Sequence, residues 1–141
     1  AGLPSASLCM NCHKVVTQGT RTGKAEINKI SVVIVNNQSI EWIRIHKLPD
    51  HAYFNHAQHV GTGKIDCEKC HGDMTKVDIA HQFENLSMGW CVNCHRDTEV
   101  QFAGNAYYKT FHDFQKKLKS GEMKKVTVED IGGLDCSKCH Y

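Results

Sequence analysis

The chain has 141 residues, a formal net charge of +2 and 40% hydrophobic residues, and its aromatic content is only 8%. The length favours a single domain spanning residues 1–141, and the small net charge gives little support to nucleic-acid binding. The longest apolar run, residues 32–35, is far too short to cross a membrane, so no membrane span is expected in this chain.

The first predicted element is a β-hairpin in residues 30–45. Two apolar segments, residues 30–35 and 40–45, flank the polar residues 36–39, which suit a four-residue turn. Ile27, Ile30 and Ile34 also have the spacing of a helix through residues 24–34, which is the rival interpretation. We favour the hairpin because residues 31–35 are rich in β-branched side chains.

Short helices are predicted after this hairpin. Asp50 caps a short helix that carries His51, Phe54 and His56, and Thr75 starts a capping box that opens a helix through residues 76–83. Ser87 caps the helix that carries residues 91–95, and residues 105–119 have the strongest helical pattern, which Gly121 ends. The expected fold class is therefore mostly irregular, with short α-helices and a β-hairpin.

The cysteines all fall in four Cys-x-x-Cys-His units. In such a unit two thiols about one helical turn apart reach the two vinyl groups of one porphyrin, and the histidine that follows becomes the proximal iron ligand. Four units predict four haem c groups, whose macrocycles serve as most of the core. The attaching cysteines are Cys9, Cys12, Cys67, Cys70, Cys91, Cys94, Cys136 and Cys139, and the proximal ligands are His13, His71, His95 and His140.

Zinc is the alternative to haem at these units, because paired Cys-x-x-Cys motifs also build zinc ribbons. Zinc accounts for the cysteine pairs but not for a histidine after the second cysteine of every pair. The sequence therefore favours haem, and a haem stain on a denaturing gel separates the two interpretations.

Six histidines outside the units are candidates for the sixth, distal ligand of the irons. Because six candidates can serve four irons, mostly bis-histidine coordination is expected, which favours an electron carrier over an enzyme. The alternative function is a haem-dependent reductase with one open iron site. The preferred distal ligands are His51, His56, His59 and His46, and the reserve candidates are His112, His81 and Met88.

Several blocks of the chain resemble a known family. EWIRIHKLPDHAYFNHAQHV, CEKCHGDM and LSMGWCVNCHR, with LPSASLCMNCH and IGGLDCSKCHY at the ends, resemble the multihaem cytochrome c subunit of alternative complex III, and more broadly class III multihaem cytochromes c. The resemblance implies electron transfer from a quinol-oxidising partner to an acceptor cytochrome. It also implies bis-histidine ligation, with family histidine positions at 46, 51, 56 and 59 but not at 81.

The family subunit carries a further haem unit and a membrane anchor, so the chain is expected to be a shortened, four-haem relative. The expected partners are redox proteins, either other cytochromes or a quinol-oxidising membrane complex, or further copies of the chain in an end-to-end polymer such as an extracellular filament. Covalent haem attachment takes place outside the cytoplasm. A periplasmic or extracellular location, with a signal peptide removed, is therefore expected.

Overall fold

The structure is a computed structural model, which describes residues 4–20 and 23–141. The chain divides into two compact units, Ala1–Arg44 and Ile45–Tyr141. The first unit contains helix α1 (Ala6–His13) and helix α2 (Gly23–Val35), which pack against each other.

Helix α2 lies where the β-hairpin was predicted, so that prediction is wrong and the rival helix is correct. Ile27, Ile30 and Val33 are half-buried while most residues between them are exposed, which is the period of a helix. The helix ends at Val35, and Asn37 then turns the chain with a φ of +52°, while the N–H of Gln38 donates to the Val33 carbonyl at 2.9 Å. The helical period of the apolar residues has outweighed the β-branched content of residues 31–35.

The second unit consists of short helices joined by irregular segments. Its α-helices are α3 (Glu68–His71), α4 (Met88–Asp97) and α5 (His112–Ser120). A π-helix covers Ala57–Thr62, and 3-10 helices cover Ala106–Thr110 and Cys136–Lys138. Two isolated β-bridges occur in residues 4–20 and 23–141, but no sheet, so the expectation of a mostly irregular fold with short helices is confirmed.

The local predictions have mixed outcomes. Ser87 caps α4 as predicted, because its hydroxyl accepts a hydrogen bond from the Trp90 N–H at 3.3 Å. The helix predicted for residues 105–119 is interrupted at Phe111, whose ψ of 54° separates the 3-10 helix from α5, and Gly121 ends α5 with a φ of +78°. Residues 76–83 and 52–55 are irregular, so the helices predicted there are wrong.

The irregular structure at residues 76–83 has a local cause. The Asp73 carboxylate accepts a hydrogen bond from the Thr75 N–H at 3.1 Å and pairs with Lys76 at 2.7 Å. Asp73 therefore closes a turn where the sequence pattern had placed a cap by Thr75.

A conventional hydrophobic core occupies only a small part of the described residues. Val100, Tyr108 and Val126 are buried, and partly buried residues between Phe102 and Ile131 pack around them. The segments around 100 and 126 are joined by a hydrogen bond from the Val100 N–H to the Val126 carbonyl at 2.8 Å. Large apolar side chains are exposed in many other places. Examples are Trp42, Tyr53, Phe54, Phe83 and Met88.

Replacing Val126 with alanine tests whether this core contributes to stability. Val126 is fully buried, so the truncation should lower the free energy of unfolding by about 2 kcal/mol. Urea denaturation followed by circular dichroism measures the loss, with Val15→Ala as the control, because Val15 is 85% exposed. Equal midpoints for the two variants would contradict a stabilising core at Val126.

None of the helices in the described part of the chain has the length and apolar character that crossing a membrane requires.

Candidate haem-binding sites

Each Cys-x-x-Cys-His unit lies on a single helical turn. The first unit lies at the end of α1, and the second unit consists of Cys67 and α3. The third unit lies within α4, and the fourth unit begins with the 3-10 helix Cys136–Lys138. The His71 N–H donates to the Cys67 carbonyl at 3.0 Å, and the His140 N–H donates to the Cys136 carbonyl at 2.9 Å. These turns bring each histidine beside the first cysteine of its unit, as the sequence spacing predicted. None of the eight cysteines is in a disulfide.

Three of the four motif histidines contact a backbone carbonyl through Nδ1. The distances are 3.0 Å from His13 to the Val16 oxygen, 2.7 Å from His95 to the Gly133 oxygen and 2.8 Å from His140 to the His51 oxygen. A carbonyl only accepts, so Nδ1 carries the proton and the lone pair lies on Nε2. This arrangement prepares Nε2 to bind a metal and holds the ring in place.

The remaining motif histidine, His71 of the second unit, has a different partner. Nδ1 of His71 lies 3.0 Å from Nε2 of His46. The two rings meet edge-on, with centroids 4.4 Å apart and planes 82° apart. Burial lowers the pKa of His46, and positive charge on His71 or His81 would lower it further. The neutral form of His46, which can accept a hydrogen bond, is therefore favoured.

Two histidines of the upstream stretch face motif histidines of different units. The rings of His56 and His71 are nearly parallel, 5° apart, with centroids separated by 6.3 Å. The rings of His59 and His95 are 32° apart with a centroid separation of 6.1 Å. Two metal–nitrogen bonds of about 2 Å, with about 1.1 Å from nitrogen to centroid in each ring, require roughly 6.2 Å. Both separations fit two imidazoles that share one iron.

A third histidine of the stretch lies beside the fourth unit. The rings of His51 and His140 are 28° apart, with centroids separated by 5.4 Å. This pair is closer than the other two, and it is also joined through the His51 carbonyl. The Tyr53 N–H donates to the Cys139 carbonyl at 2.8 Å, and the Tyr53 ring stacks on Tyr141 at 4.5 Å. Residues 51–53 are thus held against the fourth unit.

The π-helix positions His56 and His59. The Asn55 side chain accepts from the Ala57 N–H at 2.9 Å, and its backbone carbonyl lies 2.9 Å from Nδ1 of His59. Phe54 contacts both histidines, with ring centroids 4.9 Å from His56 and 4.3 Å from His59. The Asn55 carbonyl therefore engages Nδ1 of His59 and leaves Nε2 available for a metal. Backbone carbonyls do the same for three of the motif histidines.

The pKa of His59 lies below its ordinary value of 6.5. Burial is the main cause, the nearby His95 and His56 act in the same direction, and the hydrogen bond to the Asn55 carbonyl opposes them. A neutral ring is the form that binds a metal. The surroundings of His59 therefore favour its ligand form.

The cysteines of the second, third and fourth units are neighbours. Burial raises the pKa of Cys70, and the nearby Cys94 raises it further. Burial also raises the pKa of Cys91, where Cys139 is the next cause. The second unit therefore lies near the third and the third near the fourth.

The reserve candidates lie outside these ring pairs. His112 is exposed at the start of α5, and Nδ1 of His81 lies 3.3 Å from the Ile79 carbonyl. Met88 is 68% exposed in the first turn of α4. The assignment of distal ligands to individual irons stays a prediction for all seven candidates.

Sequence reasoning missed the carbonyl oxygens that accept hydrogen bonds from Nδ1 of the ligand histidines. Val16, Gly133 and Asn55 supply the carbonyl oxygens that fix the imidazole tautomers. Any residue has a carbonyl, so the residue type gives no signal for most of them. Gly133 is the exception, because a glycine pair such as Gly132-Gly133 is a sequence signal that can mark a close approach of backbone.

These residues fit haem better than zinc. The units carry two free thiols on one turn and a histidine whose Nδ1 is already engaged, which is the donor set for thioether attachment with iron on Nε2. No group of three or more histidine, cysteine or acidic side chains is arranged to hold a metal ion in residues 4–20 and 23–141.

Comparison with known proteins points to the same cofactor. The chain is 26% identical over 140 residues to the multihaem cytochrome c subunit of menaquinone reductase from Nitratidesulfovibrio vulgaris. The similarity supports a multihaem cytochrome c. It covers 99% of the chain but only 53% of the relative, so the chain spans about half the length of that subunit. No protein-family model matches the chain.

Proposed function

We propose that the chain transfers electrons through four covalently bound haem c groups, with iron bound by two histidines in at least three of them. The second iron is bound by His71 and His56 and the third by His95 and His59. The fourth is bound by His140 and His51, whose rings must move about 0.8 Å apart from their 5.4 Å separation to share an iron. Haem supplies the one-electron chemistry, and the protein fixes the position and surroundings of each iron. No substrate chemistry is assigned to the chain.

The contacts of residues 51–59 carry this proposal. Within nine residues, three histidines pair with the motif histidines of three different units, at ring separations of 5.4, 6.3 and 6.1 Å. One short segment therefore links three cofactors. Electron transfer needs such closeness between successive haems.

The distribution of apolar surface supports haem as a structural component. Phe54 is 41% exposed although it packs against two of the proposed ligands, and Phe83 is 56% exposed although it lies against Gly72 beside His71. A porphyrin bound to His71 would cover such side chains. The conventional core of residues 100–131 is too small to account for the packing of the rest of the chain.

The relative suggests the setting. Menaquinone reductase reacts with a quinone, so we propose that this chain exchanges electrons with a quinone-reactive membrane complex or with other cytochromes, in the periplasm or outside the cell. We propose that it works as a subunit of such an assembly or as a polymer of many copies. Sizing of the native protein distinguishes a discrete complex from a polymer.

A haem-dependent reductase is the second candidate, because of the first unit. Residues 1–44 contain one histidine, His13, so they offer no second histidine for the first iron. An iron without a second protein ligand has the exchangeable position that a reductase needs. The wild-type ferric protein then shows one high-spin haem that binds added cyanide.

Mass spectrometry and spectroscopy test the proposed function. The 141 residues, once denatured, should weigh 15.9 kDa plus four haems, and the double variant Cys67→Ser, Cys70→Ser should lack one of them. The wild-type ferric spectrum should be low-spin for the second, third and fourth haems. A mass without haem would sink the proposal outright, and high-spin iron at several haems would remove the bis-histidine assignment.

A further inference from the structure

His46 has a position unlike that of any other candidate ligand. It touches the motif histidine His71 through that ring's Nδ1, whereas His56 faces the same ring at the separation that fits a shared iron. In the other three units the Nδ1 contact is made by a backbone carbonyl. His46 thus occupies in the second unit the place that a carbonyl occupies in the others.

The hydrogen bond fixes the roles of both rings. If the iron is on Nε2 of His71, Nδ1 of that ring carries the proton and donates it. Nε2 of His46 then accepts with its lone pair, at 3.0 Å. That lone pair cannot bind an iron at the same time. His46 in this position is therefore not an Nε2 ligand of any haem.

We propose that His46 is a positioning residue of the second haem. It accepts a hydrogen bond from the Nδ1–H of the proximal ligand His71 and thereby lowers the reduction potential of that haem. The inference rests on the proposed function, because it requires an iron on His71. Hydrogen bonding at Nδ1 raises the basicity of the ligating nitrogen, and a more basic ligand stabilises ferric over ferrous iron.

The expected effect is selective for one haem. Loss of the acceptor in His46→Ala should raise one of the four potentials, shifting that oxidation equilibrium about tenfold, or about 59 mV for one electron. All three assigned irons should stay low-spin. In His46→Gln the amide oxygen can accept the Nδ1 proton, so the potential should return towards the wild-type value.

Potentiometric titration and low-temperature electron paramagnetic resonance of the holoprotein test the inference. Gln58→Ala is the control, since it removes a neutral, exposed side chain from the same stretch. A selective rise in His46→Ala with recovery in His46→Gln supports the positioning role. A new high-spin haem in His46→Ala would show that His46 is an iron ligand instead. Four unchanged potentials, or no recovery with glutamine, would also overturn the inference.

These outcomes separate the inference from the proposed function. If the wild-type protein lacks haem, the function fails and His46 has no haem to act on. If the wild-type protein has low-spin haems and only the His46 results disagree, the function stands and the positioning role fails. A variant lacking Cys67 and Cys70 adds a further check, because His46→Ala should leave its three remaining potentials unchanged.

Discussion

Replacing His56 with alanine is expected to make the haem of the second unit high-spin, and replacing His59 is expected to do the same to the haem of the third unit. The two residues lie three positions apart, yet their rings face His71 and His95, which belong to different units. Each truncation removes one imidazole from one iron and leaves the other ligand in place. Each variant should therefore keep all its covalent haem and lose the low-spin signal of one haem.

Electron paramagnetic resonance of the ferric proteins measures the conversion, and the denatured mass confirms that haem content is unchanged. Gln58→Ala, between the two histidines, is the control and should give the wild-type spectrum. The affected haem is identified by combining each variant with loss of one unit. In the Cys67→Ser, Cys70→Ser background, His56→Ala should have no spectroscopic effect, while His59→Ala should still produce one high-spin haem.

Two results would contradict this assignment. If both single variants stay low-spin, neither histidine binds iron, and the ring separations near 6.2 Å have another cause. If His56→Ala still produces a high-spin haem after the second unit has been removed, His56 serves a different iron. The two variants thus test separately whether the stretch ligates haems and which haems it links.

The haem units and the ligand-rich stretch could be predicted from the sequence because they depend on short, fixed spacings. Cys67, Cys70 and His71 lie on one turn whatever surrounds them, and Ser87 caps α4 through a contact three residues away. His51, His56 and His59 were recognisable as candidates because they lack cysteines of their own. Which motif histidine each one faces depends on how irregular segments cross in space, and no local pattern encodes this.

The wrong prediction of a β-hairpin at residues 30–45 also comes from packing that no local pattern encodes. Residues 31–35 have β-branched side chains that suit a strand, but a strand needs a neighbouring strand to pair with. In α2 the apolar side chains are half-buried on one helix face, which needs no strand partner. The place of His46 was missed for a different reason. The sequence cannot tell a histidine that binds iron from one that accepts a hydrogen bond from an iron ligand. Only the 3.0 Å contact with His71 distinguishes the two roles for His46.

Replacing Gly133 with alanine is expected to perturb both the fold and the third haem. A Cβ at this position would lie 2.6 Å from the Val128 carbonyl oxygen and even closer to the Val128 side chain, so the backbone must shift. The Gly133 carbonyl lies 2.7 Å from Nδ1 of His95, and its N–H donates to Val128 at 2.8 Å. We expect a loss of about 1–3 kcal/mol of stability and a higher potential for one haem.

Urea denaturation and potentiometric titration measure the two effects, with Gly89→Ala in α4 as the matched control. A Cβ at Gly89 meets nothing within 4 Å, and alanine favours a helix over glycine by about 0.5–1 kcal/mol, so this variant should be unchanged or slightly more stable. Loss of stability in Gly133→Ala without a shift of any potential would mean that the His95 contact survives the backbone shift. Unchanged stability would mean that Val128 moves aside, because the close approach requires one of the two residues to give way.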